Sequence, residues 1–155
     1  LQTLDPKLLH LAHCPGDLLE KAELPENQMK RARHVIGEQA RVHMFEEGLR
    51  ESNSPEELGS LLRQSHGSSS ELFENSVPEL DHLVDLLNED DEVLGARLTG
   101  GGFGGAALAW TSQGFSEEKA RSIASAYERK WQVLPKFHTF SASRGAHCKD
   151  PLEKG

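Results

Sequence analysis

Apolar residues recur at helical spacing between Asn27 and Leu49. They are Met29, Ala32, Val35, Ile36, Val42, Phe45 and Leu49, and the opposite positions carry the charged residues Lys30, Arg31, Arg33, Glu38, Arg41 and Glu46. Residues three, four and seven positions apart share one face of a helix. The pattern therefore predicts a long amphipathic helix whose apolar stripe faces the core.

Two shorter helices are predicted next. Ser54 is an N-cap residue, Pro55 suits the first helical position, and Glu57 completes a capping box. The apolar stripe of this helix is Leu58, Leu61 and Leu62. The stretch SHGSSSELFENS (65–76) weakens the pattern, and Gly67 followed by three serines indicates a bend or a frayed turn. Pro78 begins the next helix, with inward residues Leu80, Leu83, Val84 and Leu87.

The pattern changes at Val93. The segments VLGARLT (93–99) and AALAW (106–110) are apolar, bounded by glycine and too short for helices, so they predict two strands. Ser116 caps a helix with inward residues Ala120, Ile123, Ala124, Tyr127 and Trp131. The stretch KFHTFSAS (136–143) is interpreted as a final strand. The sequence thus predicts an α+β fold of three helices followed by β-loop-β-α-β, in one domain over residues 1–150, with residues 151–155 as a disordered tail.

Composition narrows the functional classes. The 155 residues are 36% hydrophobic and 27% charged, with a net charge of -8, which argues against nucleic-acid and membrane-surface binding. The absence of a visible signal peptide favours the cytoplasm, and the start at Leu1 suggests a fragment. Zinc bound by His10, His13, Cys14, His147 and Cys148 is conceivable. The spacing is atypical, so two reduced thiols are the favoured interpretation.

A glycine-rich connection joins the two predicted strands. Five of the six residues from Gly100 to Gly105 are glycine, and Phe103 is the exception. A strand follows where a dinucleotide-binding loop needs a helix, and no Gly-Lys-Ser/Thr follows, so neither common nucleotide-binding motif fits. Two interpretations remain from the spacing: a wide hairpin connection, or a place where the backbone approaches a phosphate, a sugar or another loop.

A resemblance to a known family favours the second interpretation. The stretch GARLTGGGFGGAALAW (95–110) resembles the third signature motif of the GHMP small-molecule kinases. Three further stretches are similar to the galactokinase branch: LQTLDPKLL (1–9), MKRARHVIGE (29–38) and QSHGSSSELFENSVPELDHLV (64–84). The resemblance implies a C-terminal domain related to the ferredoxin-like split βαβ fold, with additional N-terminal helices.

The resemblance also implies an activity and its cofactors. Galactokinases transfer the γ-phosphate of ATP to the anomeric hydroxyl of galactose, with Mg²⁺. Their catalytic aspartate and phosphate-wrapping loop belong to an N-terminal domain absent from this chain, so no catalytic or metal-binding residue is expected here. The expected contribution of the chain is a loop beside sugar and phosphate, formed by Thr99, Gly100, Gly101, Gly102, Phe103, Gly104 and Gly105. In this view a β-carbon at Gly102 or Gly104 clashes with the phosphate loop or is forced to positive φ, and Phe103 packs as a plug or lid.

Several alternatives stay open from the sequence. The substrate could be a related sugar such as N-acetylgalactosamine or arabinose, or the protein could sense sugar and ATP without turnover. The hydroxyl of Thr99 could bond a ligand or the loop backbone. For the remaining polar residues the structural interpretations are favoured: packing or capping for His66 beside Ser65, a solvated ion-paired face for Arg31, Arg33 and His34, and helix-start electrostatics for Glu79 and Asp81.

Overall fold

The computed structural model describes residues 7–143. A short 3-10 helix (Leu11–His13) precedes helices α1 (Gly16–Glu20), α2 (Glu26–Glu51) and α3 (Pro55–Ser68). A π-helical turn (Ser69–Phe73) extends α3, and α4 (Pro78–Asn88), strands β1 (Val93–Thr99) and β2 (Ala106–Thr111), and helix α5 (Glu117–Trp131) complete the order. The predicted α+β class, helices and hairpin are confirmed. The expected tail, residues 151–155, lies outside the described residues.

Helix α2 is packed along only part of its predicted apolar stripe. The first half of α2 packs on the preceding segment and forms a small core with it. The residues of this core are Met29, Ala32 and Ile36 of α2 and Leu8, Cys14 and Leu19 of the preceding segment. In its second half, the expectation of an inward-facing stripe is wrong for Val42, which is 60% exposed, and Leu49, which is 58% exposed. Phe45 of the same stripe is half-buried and packs against Trp110. The core formed with the preceding segment thus involves residues of the first half of α2.

The predicted bend after α3 does not occur. Residues Ser65 to Ser69 continue as helix and then as a π-helical turn, which ends where Glu74 adopts a left-handed φ of 56°. The reason is that Ser68 and Ser69 are buried, and that the hydroxyls of Ser68 and Ser70 are bonded to distant side chains. The Ser68 hydroxyl lies 2.9 Å from Nδ1 of His34, and the ring of His34 stacks on Phe73 with centroids 4.7 Å apart. Contacts with α2 thus override the weak helix propensity of this stretch.

The two strands form an antiparallel hairpin in which Thr99 pairs with Ala106 at the loop end. A register irregularity between Val93 and Gly95 leaves Leu94 without a partner in β2. One face of the hairpin packs on α4 and α5, where the buried core consists of Val84, Leu87, Val93, Ala96 and Ile123. The sheet is therefore the platform that carries the glycine loop, with its strand ends fixed in register.

Side chains close the free edge of β1. The guanidinium of Arg63 donates to the Leu94 carbonyl, Oδ1 of Asn88 accepts the Ala96 N–H at 2.8 Å, and Nδ1 of His66 accepts the Leu98 N–H at 3.2 Å. Buried backbone groups need such partners when no further strand supplies them. Helices α3 and α4 thus take the place of a third strand along β1.

The predicted final strand over 136–143 is wrong. These residues have no regular secondary structure, and the sheet has only β1 and β2 within residues 7–143. Strand alternation would put Phe137 with Thr139 and Ser141 on one face, and Phe140 with Lys136 and His138 on the other. Neither face is mainly apolar, and Phe140 is 74% exposed. The segment instead runs beside β2 across a groove of about 630 Å³.

Candidate functional site

The glycine loop, residues 100–105, is held in a mostly left-handed conformation. Positive φ angles occur at Gly100 (75°), Gly102 (83°), Phe103 (56°), Gly104 (108°) and Gly105 (72°). Residues with a β-carbon rarely adopt such angles, which cost them roughly 1–2 kcal/mol each. The backbone conformation thus accounts for four of the five glycines. It does not account for Gly101, which has neither a positive φ nor an atom near its missing β-carbon.

Asn75 holds the loop at two points. Its carbonyl oxygen accepts the Phe103 N–H at 2.7 Å, and its Nδ2 donates to the Gly101 carbonyl at 3.3 Å. Its own N–H donates to the Ser69 carbonyl at 3.2 Å, so the π-helical turn fixes Asn75 in place. The Asn75 residue is 8% exposed. One buried residue therefore connects the turn after α3 to both sides of Gly102.

Gly102 is constrained from within the domain. A β-carbon there would overlap the carbonyl oxygen of Asn75 and lie 2.9 Å from its Nδ2. The sequence-based expectation placed this clash with a loop of another domain, and the structure gives a nearer cause. At Gly104 there is no atom within 4 Å, and the constraint is its φ of 108° alone. The two glycines are thus required for different physical reasons.

The two residues with side chains at the loop face solvent. Phe103 is 73% exposed, so within residues 7–143 it does not pack as a plug. Thr99 is exposed at the end of β1, and its hydroxyl has no hydrogen-bond partner among the described residues. The alternative in which Thr99 bonds the loop backbone is therefore wrong. The side chains of Thr99 and Phe103 are thus exposed, and the loop between them and Gly105 carries no carboxylate.

His66 anchors the strand that leads into the loop. Its Nδ1 accepts the Leu98 N–H, which requires the neutral ring with its proton on Nε2, and Nε2 lies 3.2 Å from Oδ1 of Asp81. Asp81 also accepts the hydroxyls of Ser76 at 2.5 Å and Ser70 at 3.1 Å. Burial lowers the pKa of His66, against the opposing attraction of the Asp81 carboxylate. The predicted packing role of His66 is confirmed.

Ser65 and His66 do not form a nucleophile–base pair. The hydroxyl of Ser65 donates to Oε2 of Glu38 at 2.5 Å, on the side of α3 that faces α2. Consecutive helical residues point about 100° apart, so the two side chains serve different neighbours. Glu38 in turn pairs with Arg41 at 2.6 Å and lies 3.8 Å from Arg97. Ser65, Glu38 and Arg97 therefore form a hydrogen-bonded and ion-paired cluster that connects α3, α2 and β1.

The predicted ion pairing is confirmed for Arg31 and Arg33 of α2 and is wrong for His34, whose ring bonds Ser68 and stacks on Phe73. Arg31 lies 2.5 Å from Glu74 and also donates to the Leu72 carbonyl, and Arg33 lies 3.1 Å from Glu20. Hydrogen bonds from Arg31 and Lys30 lower the pKa of the Glu74 carboxyl. Arg31 therefore ties the end of the π-helical turn to α2, next to Asn75 and the loop.

Residues 7–143 contain neither a cluster of metal ligands nor a helix that could span a membrane. Within residues 7–143, no three residues among His, Cys, Asp and Glu are grouped as metal ligands. Cys14 is buried with a free thiol, whereas His147 and Cys148 lie outside the described residues. None of the helices in the described range is both long enough and apolar enough to cross a bilayer.

Sequence reasoning missed Asn75. No local pattern marks Asn75, and it is 27 positions before Gly102. Asn75 follows the left-handed residue Glu74, and its carbonyl accepts the Phe103 N–H beside Gly102. The partners of Asp81 were missed as well, because its acidic position in the first turn of α4 already had a sufficient local explanation. The available signal was an isolated Asn between a helix end and a proline-started helix.

Comparison with known proteins agrees with this architecture. The family model for the C-terminal domain of GHMP kinases matches residues 45–133. The structure of a galactokinase from Lactococcus lactis in complex with galactose superimposes with a TM-score of 0.75 at 28% identity, covering 81% of this chain and 33% of that chain.

Curated relatives lead to the same family. A galactokinase from Actinobacillus pleuropneumoniae is 39% identical over 138 residues, covering 86% of this chain and 36% of the relative. A galactokinase from Thermotoga neapolitana is 37% identical over 123 residues, covering 79% and 35%. The chain thus spans about a third of the length of these relatives. It belongs to the GHMP kinases, and residues 45–133 are a C-terminal domain of that family.

Proposed function

We propose that the chain is the C-terminal part of a cytoplasmic galactokinase-like enzyme, which transfers the γ-phosphate of ATP to the anomeric hydroxyl of galactose. The observation that carries the proposal is the glycine loop. It is exposed, kept in a left-handed conformation by Asn75, and placed on a domain that superimposes on a galactokinase solved with galactose.

The loop suits a position beside phosphate. Residues 99–105 carry no acidic side chain, and their backbone can approach a ligand closely because five of the seven are glycine. A turn can direct successive backbone N–H groups into a concave surface that attracts anions. The Phe103 N–H is not among those available, because it is bonded to the Asn75 carbonyl. Phosphoryl transfer depends mainly on such positioning and on charge stabilisation. In this proposal the loop forms one wall of the phosphate site, and the Thr99 hydroxyl is available to the sugar or a phosphate.

Magnesium would neutralise the developing charge on the phosphates when ATP is bound. It prefers oxygen ligands, above all carboxylates and phosphates. The loop offers no carboxylate, so we assign the protein ligands of magnesium to an N-terminal domain. The role of this chain is then to hold and shield the transferred group, without supplying a catalytic base.

An uncovered apolar surface supports the presence of that further domain. On α2, Val42 and Leu49 are exposed, and on β2, Leu108 is 38% exposed. Phe45 of α2 contacts Trp110 of β2, with ring centroids 6.0 Å apart, so the exposed residues of the two elements are neighbours. Surfaces of this kind mark contacts with partners or other domains. We propose that the N-terminal domain covers it.

The test is turnover by the full-length protein that contains this chain. We expect ATP-dependent phosphorylation of galactose, with N-acetylgalactosamine and arabinose as competing substrates, and no turnover by the 155-residue chain alone. Faster turnover of either competing sugar would reassign the substrate. Binding of galactose and ATP without any product would favour a sensing module, and turnover by the isolated chain would refute the division of roles.

A further inference from the structure

A loop of five glycines has to be ordered by its surroundings. Glycine loses more backbone freedom on folding than other residues, and the loop has no apolar side chain directed into the core. Its ends are fixed by the Thr99–Ala106 pair. Between these ends, Asn75 supplies a backbone acceptor to Phe103 and a side-chain donor to Gly101.

The Asn75 amide is poorly suited to a purely structural role. Within residues 7–143, its Oδ1 is buried and has no hydrogen-bond partner. A buried acceptor without a partner destabilises a fold, whereas an apolar side chain of similar size at the same place is neutral or stabilising. The only side-chain bond of Asn75 to the described residues is the one to the loop, at 3.3 Å. An apolar residue here would serve the core at least as well.

We infer that Asn75 is a positioning residue for phosphoryl transfer, which presets the glycine loop in its working conformation before ligands or another domain arrive. The catalytic consequence rests on the proposed function, whereas the preset loop does not. Asn75 acts through Gly101 and Phe103 and does not itself contact substrate. The amide at position 75 thus serves the loop at the expense of folding stability.

The experiment compares Asn75→Leu with wild type in the full-length protein. We expect an unchanged or higher Tm, because the buried unpaired oxygen is removed. Hydrogen–deuterium exchange at the Phe103 amide should become faster by roughly tenfold or more, since the loop loses one of its two fixed points. The kcat for sugar phosphorylation should fall by roughly tenfold or more, with a smaller change in the KM for sugar, because misplacement acts on the transition state.

Asn88→Leu is the matched control. Its Oδ1 accepts the Ala96 N–H at the edge of β1, so its loss should lower the Tm and leave exchange at Phe103 unchanged. Asn75→Asp is the second variant. It keeps the size of the side chain but places an oxygen against the Gly101 carbonyl, and it should loosen the loop as Asn75→Leu does.

A lowered Tm in Asn75→Leu with unchanged loop exchange and kcat would overturn the inference, as would failure of both Asn75 variants to fold. If wild-type full-length protein phosphorylates no sugar, the proposed function fails. Exchange at Phe103 still decides in that case whether Asn75 presets the loop.

Discussion

Gly59 of α3 and Gly95 of β1 pack with their backbones in direct contact. A β-carbon on Gly95 would overlap the Gly59 carbonyl, and one on Gly59 would overlap the Leu94 carbonyl. This close approach lies at the register irregularity of β1, where Leu94 has no partner in β2. It lets Arg63 and His66, further along α3, reach the backbone of the strand.

Gly59→Ala should therefore destabilise the domain. The helix has to move away from the strand to admit the methyl group, and overpacking of this kind costs about 1–3 kcal/mol or more. Denaturant unfolding of the chain measures the free-energy change. Gly67→Ala on the same helix is the control, because its β-carbon meets no atom within 4 Å. That variant should be neutral or stabilised by up to about 1 kcal/mol, and equal losses in both would argue against the packing account.

Substitutions in the glycine loop should rank by local geometry. Gly102→Ala brings a methyl group into the Asn75 carbonyl and should abolish phosphorylation by the full-length protein while the domain stays folded. Gly101→Ala, with ordinary φ and free space, should retain most activity. Steady-state kinetics alongside a circular dichroism melt separates activity from folding. Comparable activity in the two variants would mean that the contact with Asn75 does not matter to turnover.

Phe103→Ala should be milder than Gly102→Ala. The Phe103 side chain is 73% exposed, whereas its N–H, which the substitution keeps, makes the 2.7 Å bond to Asn75. We expect altered Michaelis constants with kcat reduced less than tenfold, because the substitution removes an exposed side chain and keeps the backbone bond to Asn75. A larger kcat defect than that of Gly102→Ala would show that the aromatic ring, and not the backbone, is the working part of the loop.

Stability should depend on pH through His66. Burial lowers its native pKa below the ordinary value of about 6.5. The unfolded chain therefore binds the proton more readily, so the contribution of His66 is fully present above about pH 6.5. It declines as pH falls from there through the lowered native pKa, because protonated Nδ1 can no longer accept the Leu98 N–H. The attraction of Asp81 and Asp85 and the repulsion of Arg97 modify the size of the effect.

Denaturant unfolding between pH 8 and 5 tests this dependence. His34, whose pKa burial also lowers, contributes in the same direction, so His34→Gln is included as a background. In that background His66→Gln should flatten the remaining slope. An unchanged slope in the double variant would exclude His66 as its source.

The exposed stripe of α2 offers a test of the apolar surface. Val42→Ser and Leu49→Ser should change the stability of the chain alone by no more than about 0.5 kcal/mol, because both side chains are already largely in water. Val84→Ala, at a position with 0% exposure, should cost about 1 kcal/mol or more as a control. In the full-length protein the two serine variants should instead lower the Tm. An unchanged Tm there would remove the support for a covering domain.

The sequence predicted what local patterns determine. The capping box of Ser54 and Glu57, the proline start at Pro78 and the Ser116 cap all occur as expected. The errors share a cause, which is contact between distant residues. The serines after Gly67 are helical because distant residues supply partners, His34 of α2 for Ser68 and Asp81 of α4 for Ser70. The stripe at Val42 and Leu49 is exposed because the described chain has nothing to cover it.

For the candidate site too, local features could be predicted from the sequence and contacts between distant residues could not. The glycine loop was visible in the sequence as five glycines among six residues between two apolar segments, and the family resemblance favoured a functional role for it. The reason for Gly102 was not visible, because it depends on Asn75, which a π-helical turn brings beneath the loop. Neither the periodicity of apolar residues nor a motif records a contact of that kind.

The two edges of the hairpin should differ in how well they tolerate insertions and deletions. Along β1, side chains from α3 and α4 are matched to individual backbone groups at Leu94, Ala96 and Leu98, so an insertion or deletion between α3 and β1 would shift all three bonds out of register together. Beyond β2, the segment after α5 makes no ladder within the described residues. We expect the chain to tolerate changes of length there, and a tag or an added strand is best attached at that side of the sheet.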